Sequence, residues 1–140
     1  MESDKLLGEA RELSELLLTS SELARDLFAR IAGELGIPVS FTRALCAMEK
    51  TAPMNELAAK LRCDKSYVTA LADQLEEMGL VTRLPGPDRR IRMLELTPKG
   101  TALRNQLENR VAELSPAMNV LTAEERVLLK TLLGKISSED

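Results

Sequence analysis

The sequence predicts a mainly α-helical protein with one small β-hairpin. Apolar residues recur at steps of three and four along most of its 140 residues, which is the helical period. Only Phe28, Phe41 and Tyr67 are aromatic, so the interior must be built from Leu, Ala, Val and Met. That composition suits packed helices better than stacked sheets. The period changes to alternation only once, between residues 81 and 96. The length fits one domain, or one compact unit that completes its core by pairing with a copy of itself.

The first helix is predicted over residues 3–35, with Leu6, Ala10, Leu13, Leu17, Ala24, Phe28, Ile31 and Leu35 on its apolar seam. Thr19, Ser20 and Ser21 interrupt that seam and mark a site for a bend, and Gly36-Ile37-Pro38 ends it. Such a helix is too long to be covered by the rest of so small a chain, so its seam is expected to lie against another chain. Ser40 is read as the cap of a second helix over 41–50, and Pro53 as the first turn of a third over 53–62. Asp64 caps a fourth over 65–78, with Val68, Leu71, Leu75 and Met78 in one stripe and Gly79 as a left-handed stop.

Val81–Arg83, the turn Pro85-Gly86-Pro87-Asp88 and Ile91–Leu96 then predict a hairpin, the only sheet signal in the sequence. Thr97 and Pro98 open a fifth helix running to Met118, disturbed at Pro116. Thr122 and Glu125 make a capping box for a sixth over 123–136. Residues 137–140 are expected to fray.

Composition removes several function classes. There is no histidine, so histidine acid/base chemistry and histidine metal ligation are excluded. Cys46 and Cys63 are too few for a disulfide scaffold and too far apart for a metal motif. No glycine loop suited to phosphate and no converging carboxylate pair is present, so neither an enzyme nor a cofactor is expected. No segment approaches a membrane span and the N-terminus is acidic, so a soluble cytoplasmic protein without a membrane partner is expected.

Net charge is −3, which taken alone argues against nucleic acid. The sum hides a gradient, from −3 over residues 1–52 through +1 over 53–100 to −1 over 101–140. Within residues 81–100 the balance is +3, from Arg83, Arg89, Arg90, Arg92 and Lys99 against Asp88 and Glu95. Screening limits a charge's reach to about 8–10 Å at physiological salt, so this local cluster decides what the hairpin meets.

The third and fourth helices are separated by a very short turn and followed by that basic hairpin. Two helices so related make a helix-turn-helix, whose second helix can enter the DNA major groove. Ala58 is small where the helices meet, and Leu57, Leu61, Val68 and Leu71 supply the shared core. Arg62 stands in the turn where glycine is common.

Three segments carry a more specific pattern: Met54-Asn55-Glu56-Leu57-Ala58-Ala59-Lys60-Leu61; Asp64-Lys65-Ser66-Tyr67-Val68-Thr69 continuing to Asp73-Gln74-Leu75-Glu76-Glu77-Met78-Gly79-Leu80-Val81; and Asp88-Arg89-Arg90 with Leu96-Thr97-Pro98-Lys99-Gly100. In these the chain resembles the MarR (multiple-antibiotic-resistance regulator) family of winged helix-turn-helix transcription factors. The resemblance implies a winged helix-turn-helix over residues 37–100, flanked by N- and C-terminal dimerisation helices over 1–36 and 101–140. It also implies a homodimer, a double-stranded DNA partner with a pseudo-palindromic operator, a repressor role and a small-molecule effector.

On that reading the recognition helix presents Lys65, Ser66, Tyr67, Thr69, Ala70 and Asp73 to DNA, and the wing presents Asp88, Arg89, Arg90 and Arg92. Asp88 is placed to hold an arginine by a bidentate pair. Ala70 and Gln74 stand where many family members have arginine, so the wing is expected to supply more of the phosphate attraction.

Two alternatives stay open: a winged-helix interaction module that has lost DNA binding, and a redox-responsive regulator using Cys46 or Cys63. Buried cysteine acting as a small hydrophobe is the favoured account of both thiols. Phe28, Phe41 and Met48 are candidates for the lining of an effector pocket, with ordinary core the favoured account.

Overall fold

The computed structural model describes residues 1–138. In chain order they form α1 (Glu2–Leu35), α2 (Val39–Ala47), β1 (Thr51–Pro53), α3 (Met54–Leu61), α4 (Lys65–Glu77), β2 (Val81–Pro85), β3 (Arg92–Leu96), α5 (Pro98–Leu114), α6 (Pro116–Val120) and α7 (Ala123–Ser137). The protein is mainly helical, with one small antiparallel sheet, as its periodicity predicts.

Several local expectations need correction. α1 is one continuous helix of 34 residues, unbroken at Thr19–Ser21. Each Thr or Ser costs a helix less than about 0.7 kcal/mol, too little to break it between leucine-rich turns. Ser40 does not cap α2. Pro38 takes that place in an extended conformation, and Ser40 falls within the helix. Pro53 is the residue before α3, with φ −63° and ψ 136°, and it also ends β1.

The sheet has three strands, ordered β1-β3-β2 and antiparallel throughout, where a two-stranded hairpin was predicted. β1 pairs Thr51 with Glu95, Ala52 with Leu94 and Pro53 with Met93. Proline is tolerated there because it lies at the end of an edge strand. The fifth predicted helix is divided at Ser115, whose extended backbone precedes Pro116. Proline disfavours helical geometry in the residue before it, yet suits the first position of a new helix. Of the tail predicted over residues 137–140, Ser137 is the last residue of α7 and Ser138 its extended cap, and residues 139–140 lie outside the described residues.

The core gathers where the C-terminal end of α1, helices α2 to α4, the sheet and α5 meet. Ile31, Phe41, Leu45, Leu57, Val68, Leu75, Leu80, Leu94 and Leu107 are almost completely buried there. Phe41 and Met48 belong to this core. Helices α2 and α3 also cap each other: Lys60 Nζ donates to the Ala47 carbonyl (3.3 Å) and Arg43 Nη2 to the Lys60 carbonyl (3.4 Å). Each cation thereby meets the negative end of the neighbouring helix.

One junction positions the rest. The Gly79 backbone is left-handed, with φ 74°, and lets Leu80 N–H return to the Leu75 carbonyl at 2.9 Å. The Thr97 N–H then donates to the Leu80 carbonyl (3.0 Å), and its hydroxyl donates to Gly79 (2.6 Å) while accepting from the Gly100 N–H (3.0 Å). Lys99 Nζ reaches the Met78 carbonyl at 2.8 Å. A Cβ on Gly100 would overlap the Leu80 carbonyl oxygen, so glycine is what allows α5 to start this close to the end of α4. The Leu-Thr-Pro-Lys-Gly segment is thus a clamp between two helix ends.

A second clasp joins the far end of α1 to α5. Arg110 donates to Glu34 through Nη2 (2.6 Å) and Nε (3.1 Å), and also reaches Glu113 (2.8 Å). The Arg110 hydrogen bond holds the Glu34 carboxyl below its usual range, and the same pair holds Arg110 above its own.

Gly100→Ala is expected to destabilise by about 1–3 kcal/mol through overpacking, although alanine ordinarily improves a helix; the midpoint of urea unfolding measures it. The depressed Glu34 carboxyl contributes stability above its unfolded pKa and loses it as pH falls through the lower folded value. The melting temperatures of the parent and Glu34→Gln should therefore differ at pH 7 and converge towards pH 3, a range set by the carboxylate reference values of about 4.

Candidate nucleic-acid interface

α3 and α4 pack through Leu57, Ala58 and Leu61 against Val68, Leu71, Ala72 and Leu75, all buried. Between them Arg62 adopts φ 53° and ψ 47°. A left-handed arginine costs on the order of 1–2 kcal/mol. The turn forms nevertheless, because Cys63 N–H returns to the Ala58 carbonyl at 3.1 Å and the apolar seam closes behind it. Cys63 is half-buried against the core in the place a small apolar residue would fill.

Asp64 starts α4 as its spacing predicts. Its carboxylate accepts from the Tyr67 N–H (2.8 Å) and the Ser66 hydroxyl (2.8 Å), which hold it below the usual carboxylate range. With one face of α4 in the core, Lys65, Ser66, Tyr67, Thr69, Ala70 and Asp73 all lie exposed on the other. Besides Ser66, two of their side chains are already engaged. The Thr69 hydroxyl donates to the Lys65 carbonyl (2.9 Å), and the Asp73 carboxylate pairs with Arg83 of β2. That pairing neutralises the one carboxylate among these six residues and ties α4 to the wing.

β2 and β3 pair from Val81↔Leu96 to Pro85↔Arg92. Beyond them the turn closes through Gly86 N–H to the Ile91 carbonyl (3.1 Å) and Ile91 N–H to the Asp88 carbonyl (3.0 Å). A Cβ on Gly86 would overlap the Ile91 carbonyl, so this glycine is fixed by close approach. Asp88, Arg89, Arg90 and Arg92 are all exposed. The bidentate Asp88 pair expected from sequence is absent among the described residues: the Asp88 carboxylate instead accepts from the Arg90 backbone N–H at 3.2 Å. An Asx-type bond to the turn leaves the guanidinium groups directed elsewhere.

The N-terminal half of α4 and the base of the wing border one cleft of about 210 Å³. Lys65, Val68 and Thr69 line one side and Arg90, Ile91 and Arg92 another, with Met54 and Asn55 of α3 closing it. The sequence places Arg83 in the basic cluster and Asn55 in a motif helix but assigns neither to the DNA-binding face. Arg83's partner Asp73 and Asn55's neighbours across the cleft lie in other elements, so no local spacing marks them.

A second cleft of about 220 Å³ lies between α1, α2 and the helix-turn-helix. Arg25, Phe28, Thr42, Arg43, Leu61 and Tyr67 are among its walls. Of the aromatic and methionine residues considered for a pocket, only Phe28 lines it. Burial pushes both thiols up, Cys46 with help from Glu108 and Cys63 with help from Asp64. That direction disfavours the reactive thiolate. No group of metal-binding side chains occurs among the described residues, and none of the described helices is long and apolar enough to cross a membrane.

The sequence model of the MarR family matches residues 44–91, which span α3, α4 and the wing turn. The multiple antibiotic resistance protein MarR of Salmonella typhimurium is 29% identical over 136 residues, covering 94% of each chain. Among solved structures, a variant of MarR from E. coli complexed with operator DNA is 28% identical, with a TM-score of 0.73 over 90% of this chain and 94% of that one. NadR in complex with 4-hydroxyphenylacetate is 29% identical, with a TM-score of 0.78 over 89% of this chain and 91% of that one. The order of helices, the three-stranded sheet and the quoted motifs agree with these likenesses, which together support a DNA-binding transcriptional regulator of the MarR family.

Proposed function

We propose that the chain works as a homodimer that binds a pseudo-palindromic operator and represses by covering a promoter. The observation that carries this reading is the shared cleft: the exposed start of α4 and the wing arginines border the same space. α4 would enter the major groove with Lys65, Ser66, Tyr67, Thr69, Ala70 and Asp73 towards the bases and phosphates, and Asp88, Arg89, Arg90 and Arg92 would bring the wing to the backbone and minor groove. With Asp73 paired to Arg83, its part is to orient α4 rather than to accept from a base.

The dimer reading is supported by what the single chain leaves uncovered. From Glu2 to Asp26 every residue of α1 except Gly8 is exposed, including Leu6, Leu13, Leu16 and Leu17. No residue of α7 is buried, and Leu128, Leu132, Leu133 and Ile136 face outward. An apolar surface of this extent calls for a partner, and two-fold pairing would set two recognition helices about one turn of DNA apart.

A small-molecule effector belongs to the same reading. The cleft holding Arg25, Arg43, Phe28 and Tyr67 offers two cations and two rings with no carboxylate on its walls, which suits an aromatic carboxylate such as the one bound by NadR. Since Tyr67 belongs to α4 and Phe28 to α1, an occupant would bias the relation of the two.

Selection of genomic fragments by the purified protein should recover a palindrome, with affinity falling steeply as salt rises. On the selected duplex Arg90→Ala should cost about tenfold and lower the salt slope by about one, while Lys65→Ala costs less; the reverse order would overturn the wing's larger share. Adding 4-hydroxyphenylacetate to the same assay tests release. A chain that binds no duplex at low salt would favour the interaction-module alternative. Leu132→Asp should convert a dimer to a monomer by light scattering and abolish tight operator binding; an unchanged mass would remove α7 from the interface.

A further inference from the structure

Asn55 stands in the first turn of α3, three elements away from the wing in sequence, yet it shares the 210 Å³ cleft with the wing arginines. The cleft is apolar at Val68 and Ile91 and carries donors at Asn55, Lys65, Arg90 and Arg92. None of its lining residues is acidic. Of the carboxylates near these residues in sequence, Asp64 accepts from the Tyr67 N–H and the Ser66 hydroxyl, Asp88 accepts from the Arg90 backbone and Asp73 pairs with Arg83, while Glu56 is exposed outside the lining. Three cations and an amide therefore border one space whose lining holds no carboxylate, an arrangement that favours an anion.

Arg89 differs from its neighbours. It lines the hollow of the wing turn, with Arg83, Leu84 and Pro85 to Asp88, and not the cleft.

We infer that this cleft seats a single backbone phosphate of the bound duplex, held at once by Asn55 of α3, Lys65 of α4 and Arg90 and Arg92 of the wing. Arg89 is then the arginine left to reach the minor groove. The inference rests on the DNA-binding reading above and divides its labour among residues. An anion that bridges three elements fixes the distance between recognition helix and wing, so one phosphate sets the register of both. Asn55 contributes a neutral donor, Lys65 a point charge, and the arginines planar forks suited to phosphate oxygens.

The test is a scan of the selected duplex with single methylphosphonate substitutions, each removing one backbone charge. At one position per half-site, neutralisation should weaken the parent about tenfold. At that position the same substitution should cost Asn55→Ala and Arg90→Ala less than about twofold, because the contact is already lost. Arg89→Ala should still show the full penalty there. Equal penalties in the parent, Asn55→Ala and Arg90→Ala at every position would overturn the seat while leaving DNA binding intact. A parent that binds no duplex would overturn the seat together with the reading beneath it. Asn55 and Arg90 are exposed and make no side-chain bond among the described residues, so both alanine variants are expected to retain the fold.

Discussion

The carbonyl of Leu80 is the point on which this fold turns. It accepts the Thr97 N–H and lies so close to Gly100 that no side chain fits between them. Through it the end of α4, the return of β3 and the beginning of α5 are fixed to one another. Three further bonds, from Thr97 and Lys99 to the carbonyls of Gly79 and Met78 and from the Gly100 N–H to Thr97, satisfy helix-end groups that would otherwise be orphaned. Helix α4 held this way cannot rotate without moving α5, and α5 leads on to α6 and the uncovered apolar face of α7.

Rigid connection at that end is matched at the other. Arg104 of α5 donates to the Met48 carbonyl at the end of α2 (2.8 Å), and Arg110 holds Glu34 of α1. The cross-capping of α2 and α3 completes a chain of cation-to-carbonyl and cation-to-carboxylate contacts from α1 to the helix-turn-helix. Most of these are exposed or half-exposed, and each is individually weak. Their value is geometric: they fix the walls of the cleft between α1, α2 and α4, where a bound molecule would act on two elements at once.

Electrostatics here depends on location, not on the sum. A chain of net charge −3 keeps its basic excess at the wing and its acidic excess on the N-terminal helix. The pairing of Asp73 with Arg83 sharpens this division, since it removes a negative charge from the exposed face of α4 at the cost of one wing cation. Among the described residues Lys65, Arg89, Arg90 and Arg92 of α4 and the wing form no ion pair, and three of these four border a common cleft.

Local chemistry was legible in the sequence. The helix spans of α1 and α4, the caps at Asp64, Thr97 and Thr122, the left-handed Gly79 and the wing turn all follow from neighbours within four residues, where capping and backbone preference act. The wing motif and the Leu-Thr-Pro-Lys-Gly segment also carried the family. β1 was invisible, because three residues have no period and their partner in β3 lies more than forty residues away. The same holds for the Asp73–Arg83 pair, the place of Asn55, the loss of the expected Asp88 pair and the reason Gly100 must be glycine. By itself, then, the sequence determined which segments are helical, where they stop and which faces are apolar or charged. Only the tertiary structure decided which charges meet and which carbonyls are capped across elements. Those outcomes depend on distances of a few ångströms between residues that periodicity treats as strangers.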